Sequence, residues 1–444
     1  MLWSPEAQEL KRRLQARDAV VGVVGLGYVG LPLAVEQARA GFVVLGLDDN
    51  GAKVEQLNRG ENYIPDVDDE DLRTLIASGK LEATTRYPEL GRADVILVAV
   101  PTPLTPNKEP DLSYILSVAD RIRGILRPGQ LVVLESTTYP GTTDDVLRPV
   151  LETSGLRVGE ELFLAYSPER VDPGNPVYQT RNTPKLVGGS TEICGELAAL
   201  FYRQSLTDVV RVASPAVAEM AKVFENTYRA VNIALVNEMA LLADRMALDV
   251  WEVLEAAGTK PFGIQIFQPG PGVGGHCIPL DPFYLAWKAR EYDFPTRFIE
   301  LAGEINLKMP YFVADKLQAA LNAVKKPLNG SRVLVLGVAY KKDINDPRES
   351  PALKVIELLE DRGAEVMYHD PHIPVLRPQA SYGRTARSVE LDAGRLANLD
   401  AVVITTDHTA VDYELVAEHA SLILDTRNIM ARRGISGPAR IVKL

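Results

Sequence analysis

Cysteine is scarce in this chain, which has only two in 444 residues, Cys194 and Cys277. Two cysteines so far apart in sequence do not make a disulfide framework, so a reducing, cytoplasmic environment is expected. Basic residues are also in the minority, with 48 Lys and Arg against 59 Asp and Glu and a net charge of −11. Because no basic stripe stands out, a nucleic-acid partner is not expected.

Long apolar runs are missing as well. The apolar segment Val20–Gly25 is far shorter than the roughly 20 residues of a membrane-spanning helix, so neither a membrane partner nor a leader segment is expected. Apolar residues make up 46% of the chain and charged residues 24%, the balance of a globular protein. At 444 residues the chain has room for two or three domains.

Apolar strands alternate with helical stretches in the first part of the chain. This alternation predicts a doubly wound parallel sheet in a first domain at residues 1–205. The predicted strands are Ala19–Val24, Phe42–Leu47, Asp94–Val100, Leu131–Glu135 and Leu162–Tyr166.

The pattern changes to a helical period at residues 206–322, which predicts a central helical domain. Ser214 and Pro215 are typical of a helix start, and apolar residues at helical spacing extend the helix to about Met246. A helix of this length often forms a dimer spine, so a homodimer through it is predicted. Shorter helices are predicted at Val250–Ala257, 283–290 and 296–322.

Strand and helix alternate again at residues 323–444, with strands near Arg332–Gly337, Glu365–Tyr368, Ala401–Thr405 and Leu422–Asp425. The expected fold class is therefore α/β, with two Rossmann-like doubly wound parallel-sheet domains joined by a central helical domain. The turn after the strand ending at Gly337 lacks the three-glycine spacing, so no second dinucleotide is expected there.

A dinucleotide signature follows the first strand. Gly25-Leu-Gly-Tyr-Val-Gly30 leaves a strand and opens a helix, and Asp48 ends the next strand. The glycines allow a tight turn close to a pyrophosphate, and the carboxylate suits ribose hydroxyls. Asp48 and the adjacent Asp49 would repel a 2′-phosphate, so NAD is predicted rather than NADP. The alternative is a glycine-rich turn without a ligand.

Cys277 lies in a run of glycines and prolines, Gly272–Pro282, that would let the backbone approach a ligand. Cys194, within a helical stretch, is expected to be a buried apolar side chain. A thiolate at Cys277 can add to an aldehyde, and oxidation of that adduct gives a thioester that water cleaves.

Such a route needs a nearby cation. Lys222 and Asn226, four residues apart on one helix face, are candidates; a solvated polar face is the alternative.

Six ordered motifs make the chain resemble the UDP-glucose/GDP-mannose dehydrogenase family over nearly its whole length. The resemblance implies an NAD-dependent, four-electron oxidation of a sugar C6 alcohol to a carboxylate. The motifs are Gly25–Leu33, Glu135–Gly141, Ser167–Arg170, Ala218–Lys222 with Glu225–Arg229, the Cys277 loop and Lys341–Ser350.

The resemblance also implies roles for individual residues. Cys277 would be the nucleophile, with Asp281 handling water and protons beside it. Lys222 and Asn226 would stabilise the oxyanion, Glu169 would be the acid or base of thioester hydrolysis, and Thr137 would position a water. The predicted cofactor contacts are Gly25, Gly27, Tyr28, Val29, Gly30, Asp48, Thr102 and Thr137. The predicted contacts of a UDP-sugar are Glu169, Arg170, Lys222, Asn226, Lys260, Gly274, Lys342 and Arg427.

One departure bears on the sugar. UDP-glucose members of the family commonly have a lysine where this chain has Leu280, and the string from Pro269 to Pro279 looks like the branch acting on UDP-N-acetyl sugars. Ser167–Asn175 is more similar to UDP-N-acetylglucosamine 6-dehydrogenases, so UDP-GlcNAc is the favoured substrate. UDP-N-acetylmannosamine and UDP-glucose are the alternatives.

Other kinds of site and function fit the sequence less well. His369 and His372 suggest a metal, but without a third ligand nearby in sequence turn chemistry is the better account, so no metal is expected. His276, adjacent to Cys277, is not expected to act as its base. A single-hydride β-hydroxyacid-type dehydrogenase would leave Cys277 unexplained. A non-catalytic NAD-binding protein would be expected to lack at least one of the predicted catalytic residues.

Overall fold

The computed structural model describes residues 3–64, 66–105, 107–172, 174–175, 177–275, 278–378 and 382–444. The chain divides into two units. The first comprises Met1–Glu225 and Phe283–Phe294, and the second comprises Asn226–Pro282 and Pro295–Leu444. The division into three domains at residues 205 and 322 stays a prediction.

The first unit is built on an eight-stranded sheet with the order β3-β2-β1-β4-β5-β6-β7-β8. Its strands are β1 Val20–Val24, β2 Val43–Leu47, β3 Leu81–Thr84, β4 Val95–Val98, β5 Gln130–Leu134, β6 Leu162–Tyr166, β7 Lys185–Gly189 and β8 Val209–Val212. Its helices are α1 Pro5–Ala16, α2 Gly30–Arg39, α3 Gly51–Asn58, α4 Asp69–Ala77, α5 Ser113–Arg123, α6 Arg148–Glu152 and α7 Glu192–Tyr202.

Central strands of this sheet are buried along their whole length, as in β4, β5 and β6. Near-continuous apolar strands are typical of a parallel sheet covered by helices on both faces. The five predicted strands of the first domain are confirmed to within two residues at each end. The sequence analysis missed β3, β7 and β8.

One strand pair departs from the predicted parallel arrangement. β6 and β7 are antiparallel, with Ala165 opposite Gly189 and Tyr166 opposite Gly188. An antiparallel neighbour needs no crossover helix. The connection from β6 to β7 therefore contains no crossover helix in its described residues, and it begins with the Ser167–Arg170 motif.

Two of the three boundaries between the units lie inside helices, α8 at Pro215–Arg245 and α10 at Asp281–Ala289, and the third lies between Phe294 and Pro295. The predicted long helix is confirmed, and the Val217 amide donates to the Ser214 hydroxyl at 3.4 Å, as expected for a serine cap. No helix in the described part of the chain is long and apolar enough to cross a membrane.

The second unit contains a five-stranded parallel sheet, ordered β10-β9-β13-β14-β15, and a separate pair, β11-β12. Its strands are β9 Arg332–Leu336, β10 Glu365–His369, β11 Val375–Leu376, β12 Ala386–Arg387, β13 Ala401–Ile404, β14 Leu422–Asp425 and β15 Arg440–Lys443. Its helices are α9 Val250–Gly258, α11 Arg297–Ala323, α12 Pro351–Asp361, α13 Ala393–Ala397, α14 Tyr413–His419 and α15 Ile429–Arg432. The predicted second α/β sheet is confirmed.

Candidate active site

The three predicted glycines line the turn between β1 and α2. Gly25 has a φ of +91°, and a Cβ there would meet the carbonyl oxygen of Ala99. A Cβ on Gly30 would collide with the carbonyl of Gly25, whereas nothing lies within 4 Å of the Cβ position of Gly27. The strand order reverses at β1, the place where doubly wound sheets bind nucleotides. This turn fits the pyrophosphate of NAD.

Asp48 lies directly beside this turn. Its Oδ2 accepts from the Leu26 amide at 3.0 Å, and its Oδ1 accepts from the Asn50 amide at 2.9 Å. Tyr28 is 40% exposed at the turn, and Val29 immediately precedes α2. The carboxylate is therefore held where the sequence places a ribose partner.

Thr102 and Thr137 meet at the ends of two neighbouring strands. The Thr102 hydroxyl donates to the Thr137 carbonyl at 2.7 Å, and the Tyr284 hydroxyl donates to the Thr102 carbonyl. Thr102 is buried and Thr137 is partly buried. Both follow parallel strands of one sheet at its carboxyl edge, which is also the edge of the glycine turn.

Glu169 is held firmly in the loop after β6. Its Oε1 accepts from the amides of Arg170 and Val171 at 2.7 and 2.8 Å, and its Oε2 lies 3.5 Å from the Lys185 ammonium. Burial favours the neutral acid, but Lys185, the two amides and Lys222 together hold the pKa of Glu169 below its usual range. The carboxylate is thus held in its ionised form.

Arg170, a predicted substrate contact, makes a structural ion pair. Its guanidinium donates to both carboxylate oxygens of Glu225 on α8, at 2.6 and 3.2 Å, and to the Pro184 carbonyl at 2.7 Å. This ion pair holds the loop of the Ser167–Arg170 motif against α8 within the first unit.

Lys222 and Asn226 lie one turn apart on α8, as predicted. Their exposed fractions are 7% for Lys222 and 5% for Asn226. The alternative of a solvated polar face is therefore wrong at these two positions. A buried amine and amide need partners, which a ligand oxyanion can supply.

Of the predicted site residues in the second unit, Asn226 and Asp281 come together at the start of α10. The Asn226 amide donates to Asp281 Oδ2 at 2.6 Å, and both side chains are buried. Asp281 follows Cys277 by four residues. Cys277 and His276 themselves lie outside the described residues, so their predicted roles stay predictions.

The glycine segment before Cys277 packs against the Lys341–Ser350 motif. The Gly275 amide donates to the Arg348 carbonyl at 3.1 Å. A Cβ on Gly274 would lie only 2.7 Å from the Glu349 carbonyl oxygen and 2.8 Å from Tyr340 Cβ. Glycine is thus needed at 274 for close packing between two motifs that are far apart in sequence.

The three predicted basic contacts of the sugar nucleotide have different surroundings. Arg427 donates to the Thr405 carbonyl at 2.8 Å, and its guanidinium lies against Gly270, two residues before the Cys277 loop. Burial lowers the pKa of Arg427. Lys342 is exposed, and the exposed Lys260 lies over the Phe262 ring. Within the described residues, no hydrogen bond joins Lys260 or Lys342 to another predicted substrate contact.

Asp343, His372 and His408 come together in the second unit, with ligand atoms within 4.8 Å of one another. Both nitrogens of His408 are already engaged, Nδ1 by the Asp343 amide at 3.0 Å and Nε2 by Asp370 Oδ2 at 3.1 Å. Asp370 also accepts from the His372 amide at 2.8 Å, the turn chemistry expected here. The absence of a metal stays a prediction.

Sequence reasoning missed a buried group of charged and polar side chains in the first unit. Glu135 and Glu219 belong to two of the motifs but were not predicted as site residues, and neither were Lys185 and Tyr202. A lysine at the start of a buried strand was the available signal. Cys194 is buried as predicted, and burial raises the pKa of its thiol.

A glycine turn at the switch point, a carboxylate on the next strand and a long helix with a buried lysine define an NAD-dependent dehydrogenase. Profiles of the UDP-glucose/GDP-mannose dehydrogenase family match the chain over all three family domains: the NAD binding domain at residues 19–206, the central domain at 216–308 and the UDP binding domain at 334–432. The chain belongs to this family. It is an oxidoreductase that uses NAD and acts on a nucleotide sugar.

Individual relatives differ in the sugar that their names specify. A UDP-N-acetyl-D-glucosamine 6-dehydrogenase from Pseudomonas aeruginosa is 38% identical over 371 residues, 83% of this chain and 86% of that protein. A UDP-N-acetyl-D-mannosamine dehydrogenase from Pyrococcus horikoshii is 36% identical over 417 residues, 92% of this chain and 96% of that protein. A solved structure of the P. horikoshii enzyme matches with a TM-score of 0.85 and 34% identity, covering 95% of this chain and 99% of that one.

Proposed function

We propose that this protein oxidises the C6 hydroxyl of a UDP-N-acetylhexosamine, UDP-GlcNAc in preference, to the uronate through a thioester on Cys277. The observation that carries the proposal is the buried hydrogen bond from Asn226 to Asp281. It fixes the end of the Cys277 loop to α8, the helix that also contains Lys222. Because Asp281 follows Cys277 by four residues in sequence, this hydrogen bond supports a shared role for Asn226 and the Cys277 loop.

The proposed reaction uses the side chains as follows. NAD would accept a hydride in each of two oxidations, alcohol to aldehyde and thiohemiacetal to thioester. Lys222 and Asn226 donate to the oxygen that becomes negative when the Cys277 sulfur adds to the aldehyde carbon. Thr137 positions the water, and Glu169 accepts a proton from it as the thioester is cleaved. Asp281 assists proton transfer beside Cys277.

The choice of sugar depends on short sequence features. Leu280 disfavours UDP-glucose, and the Ser167–Asn175 segment favours UDP-GlcNAc. The relatives include enzymes named for both UDP-GlcNAc and UDP-ManNAc. UDP-N-acetylmannosamine and UDP-glucose are therefore the comparison substrates. Lys260, Gly274, Lys342 and Arg427 are proposed to contact the sugar nucleotide, together with Arg170.

The test counts NADH per sugar oxidised for each of the three UDP-sugars and identifies the product by mass spectrometry. We expect two NADH and a uronate, with kcat/KM for UDP-GlcNAc at least roughly tenfold above the others. One NADH with an aldehyde or ketone product would instead indicate a single-hydride dehydrogenase. A higher kcat/KM for UDP-ManNAc would overturn the sugar assignment alone.

The matched variant for this test is Cys277→Ser. It should form no uronate while its NAD affinity, followed by fluorescence quenching, stays within error of the unaltered protein. Cys194→Ser is the control, because that thiol is buried in the first unit and has no role in the proposed reaction. Uronate formation by Cys277→Ser would exclude the thioester route.

We also propose that the protein is a homodimer through α8. Exposed apolar side chains follow the spacing of one helix face along α8 and directly after its end: Tyr228, Leu235, Met239, Leu242 and Met246. We call this set the α8 stripe. Scattered single apolar residues are normal on a protein surface, but a contiguous apolar patch such as this stripe marks an interaction site. Contact with a second copy would bury it.

Two further predictions accompany the proposal. The cytoplasm is the proposed location, since two distant cysteines suit a reducing compartment. The functional domains are proposed at residues 1–205, 206–322 and 323–444, for NAD binding, the catalytic helix and loop, and UDP-sugar binding respectively.

A further inference from the structure

A buried ionic network lies behind Glu169 in the first unit. The Lys185 ammonium is 2.6 Å from Glu135 Oε2 and 3.5 Å from Glu169 Oε2. The Tyr202 hydroxyl donates to the other oxygen of Glu135. Lys185 is 4% exposed and Glu135 is fully buried, so water cannot screen either charge.

Sheet geometry explains why Lys185 faces Glu169. The antiparallel register pairs Tyr166 with Gly188, and continuing it past the last paired residues places Glu169 opposite Lys185. The Ser167 hydroxyl donates to the Leu186 carbonyl at 2.7 Å and holds the two segments together beyond the ladder. Glu135, directly after β5, approaches from the neighbouring strand.

Two carboxylates share one lysine in this network. Burial raises the pKa of Glu135, although Lys185 opposes the rise. The pKa of Glu169 is instead lowered, because Lys185, two backbone amides and Lys222 outweigh its burial. Without Lys185, two buried anions would face each other, and protonation of one of them would relieve the repulsion. The groups that face Glu169 are Lys185 on β7, Glu135 after β5, Tyr202 on α7 and Lys222 on α8.

We propose that Lys185 is a positioning residue that keeps the Glu169 carboxylate ionised and aimed for thioester hydrolysis, with Glu135 as its second anionic partner. This inference rests on the proposed role of Glu169. In that step the water oxygen bonds to the thioester carbon and one water proton passes to Glu169. The carbon–sulfur bond breaks with its electron pair on the Cys277 sulfur, and no hydride is transferred.

The test compares three variants by the pH dependence of kcat for uronate formation. Lys185→Met should move the acidic limb of the profile up by about one pH unit or more, because Glu169 loses its cation. Glu135→Gln should move that limb down, because Lys185 then serves Glu169 alone. Lys185→Arg should restore most of the activity lost in Lys185→Met, since it keeps the charge.

Intact-protein mass spectrometry supplies a second measurement. Lys185→Met should accumulate the covalent sugar adduct below neutral pH, because hydrolysis slows more than adduct formation. Circular dichroism and NAD binding establish that each variant is folded. If Lys185→Met does not fold, the shift in Glu135→Gln still decides the question.

Two outcomes separate this inference from the proposed function. If the unaltered protein forms no uronate, the proposed function is wrong. If it forms uronate but Glu135→Gln and Lys185→Met leave the acidic limb in place, only the role of Lys185 is refuted. Loss of kcat in Lys185→Met at every pH, without adduct or rescue by arginine, would likewise assign Lys185 to structure alone.

Discussion

Glu219 lies on α8 three residues before Lys222 and binds the segment that follows the Glu135–Gly141 motif. Its carboxylate accepts from the Gly141 amide at 2.6 Å, the Thr143 amide at 2.9 Å and the Thr143 hydroxyl at 2.6 Å. Burial nevertheless raises the pKa of Glu219 to about 7. A carboxyl with so high a pKa titrates near neutrality, and its charge should affect the stability of the first unit.

The Glu219→Gln variant tests that effect. The folded-state pKa of Glu219 lies above the unfolded value of 4.5. Its contribution to the free energy of unfolding is therefore fully present below pH 4.5 and is lost as the pH rises through about 7. Over that window the unaltered protein should lose on the order of 3 kcal/mol of unfolding free energy relative to Glu219→Gln. Urea unfolding between pH 4.5 and 8, followed by circular dichroism, measures the difference.

The exposed Glu55 provides the matched control. Glu55→Gln should run parallel to the unaltered protein across the same pH range. A difference between Glu219→Gln and the unaltered protein that does not change with pH would show that the pKa of Glu219 is the same in the folded and the unfolded protein.

Some residues of the site could be predicted from the sequence, and others could not. Lys222 and Asn226 were predicted from their spacing on a helix, a local property that the sequence displays directly. Lys185 was missed because its partners follow two other strands, and only the antiparallel pairing of β6 and β7 brings Glu169 to it. Long-range register is not visible in a single sequence.

At the scale of elements, the turn from β1 to α2 makes different demands on its glycines. A side chain at Gly30 would collide with backbone of the same turn, whereas the space beside Gly27 is open. Gly30 is thus needed for folding, and Gly27 is predicted to be needed for the ligand. Alanine substitution can separate the two requirements.

Gly27→Ala should leave the melting temperature within error of the unaltered protein but weaken NAD binding at least about tenfold, because the methyl group occupies the space for the pyrophosphate. Gly30→Ala should lower the melting temperature and abolish NAD binding. Calorimetric titration with NAD and thermal unfolding measure both effects.

Gly51→Ala is the control, since its Cβ position is also open and it lies at the start of α3. It should change neither quantity. Normal NAD affinity in a stable Gly27→Ala variant would mean that the dinucleotide does not approach this turn.

Elements with strong apolar patterns were predicted almost to the residue, and weak patterns were missed. β6 and β14 have the predicted bounds because both are buried apolar runs with clear ends. β7 was missed because two of its five residues are glycine and it begins with a charged lysine. Packing against neighbouring strands, which the sequence does not show, stabilises such a segment.

At the scale of the whole molecule, composition and motif order predicted the α/β class and the family, but not the way the chain divides. Two of the three boundaries between the units lie inside helices α8 and α10. Sequence patterns mark where one kind of secondary structure replaces another. They do not show that one helix belongs to two units, because that depends on contacts between distant residues.

Association of two copies is the property of the whole molecule that the α8 stripe predicts. Leu235 and Leu242 are 52% and 48% exposed, and they lie seven residues apart, which places them on one face of the helix. Glu residues at both positions would place like charges against their own copies across a two-fold axis. The Leu235→Glu/Leu242→Glu variant should therefore shift from dimer to monomer in sedimentation equilibrium at micromolar concentration.

Leu116→Glu, on α5 of the first unit, is the matched control, because Leu116 is 39% exposed and lies outside the stripe. It should remain dimeric. Thermal unfolding must show that the double variant is folded, since only a folded monomer bears on the interface. If the double variant and the unaltered protein sediment with the same mass, α8 is not the dimer surface, whichever mass that is.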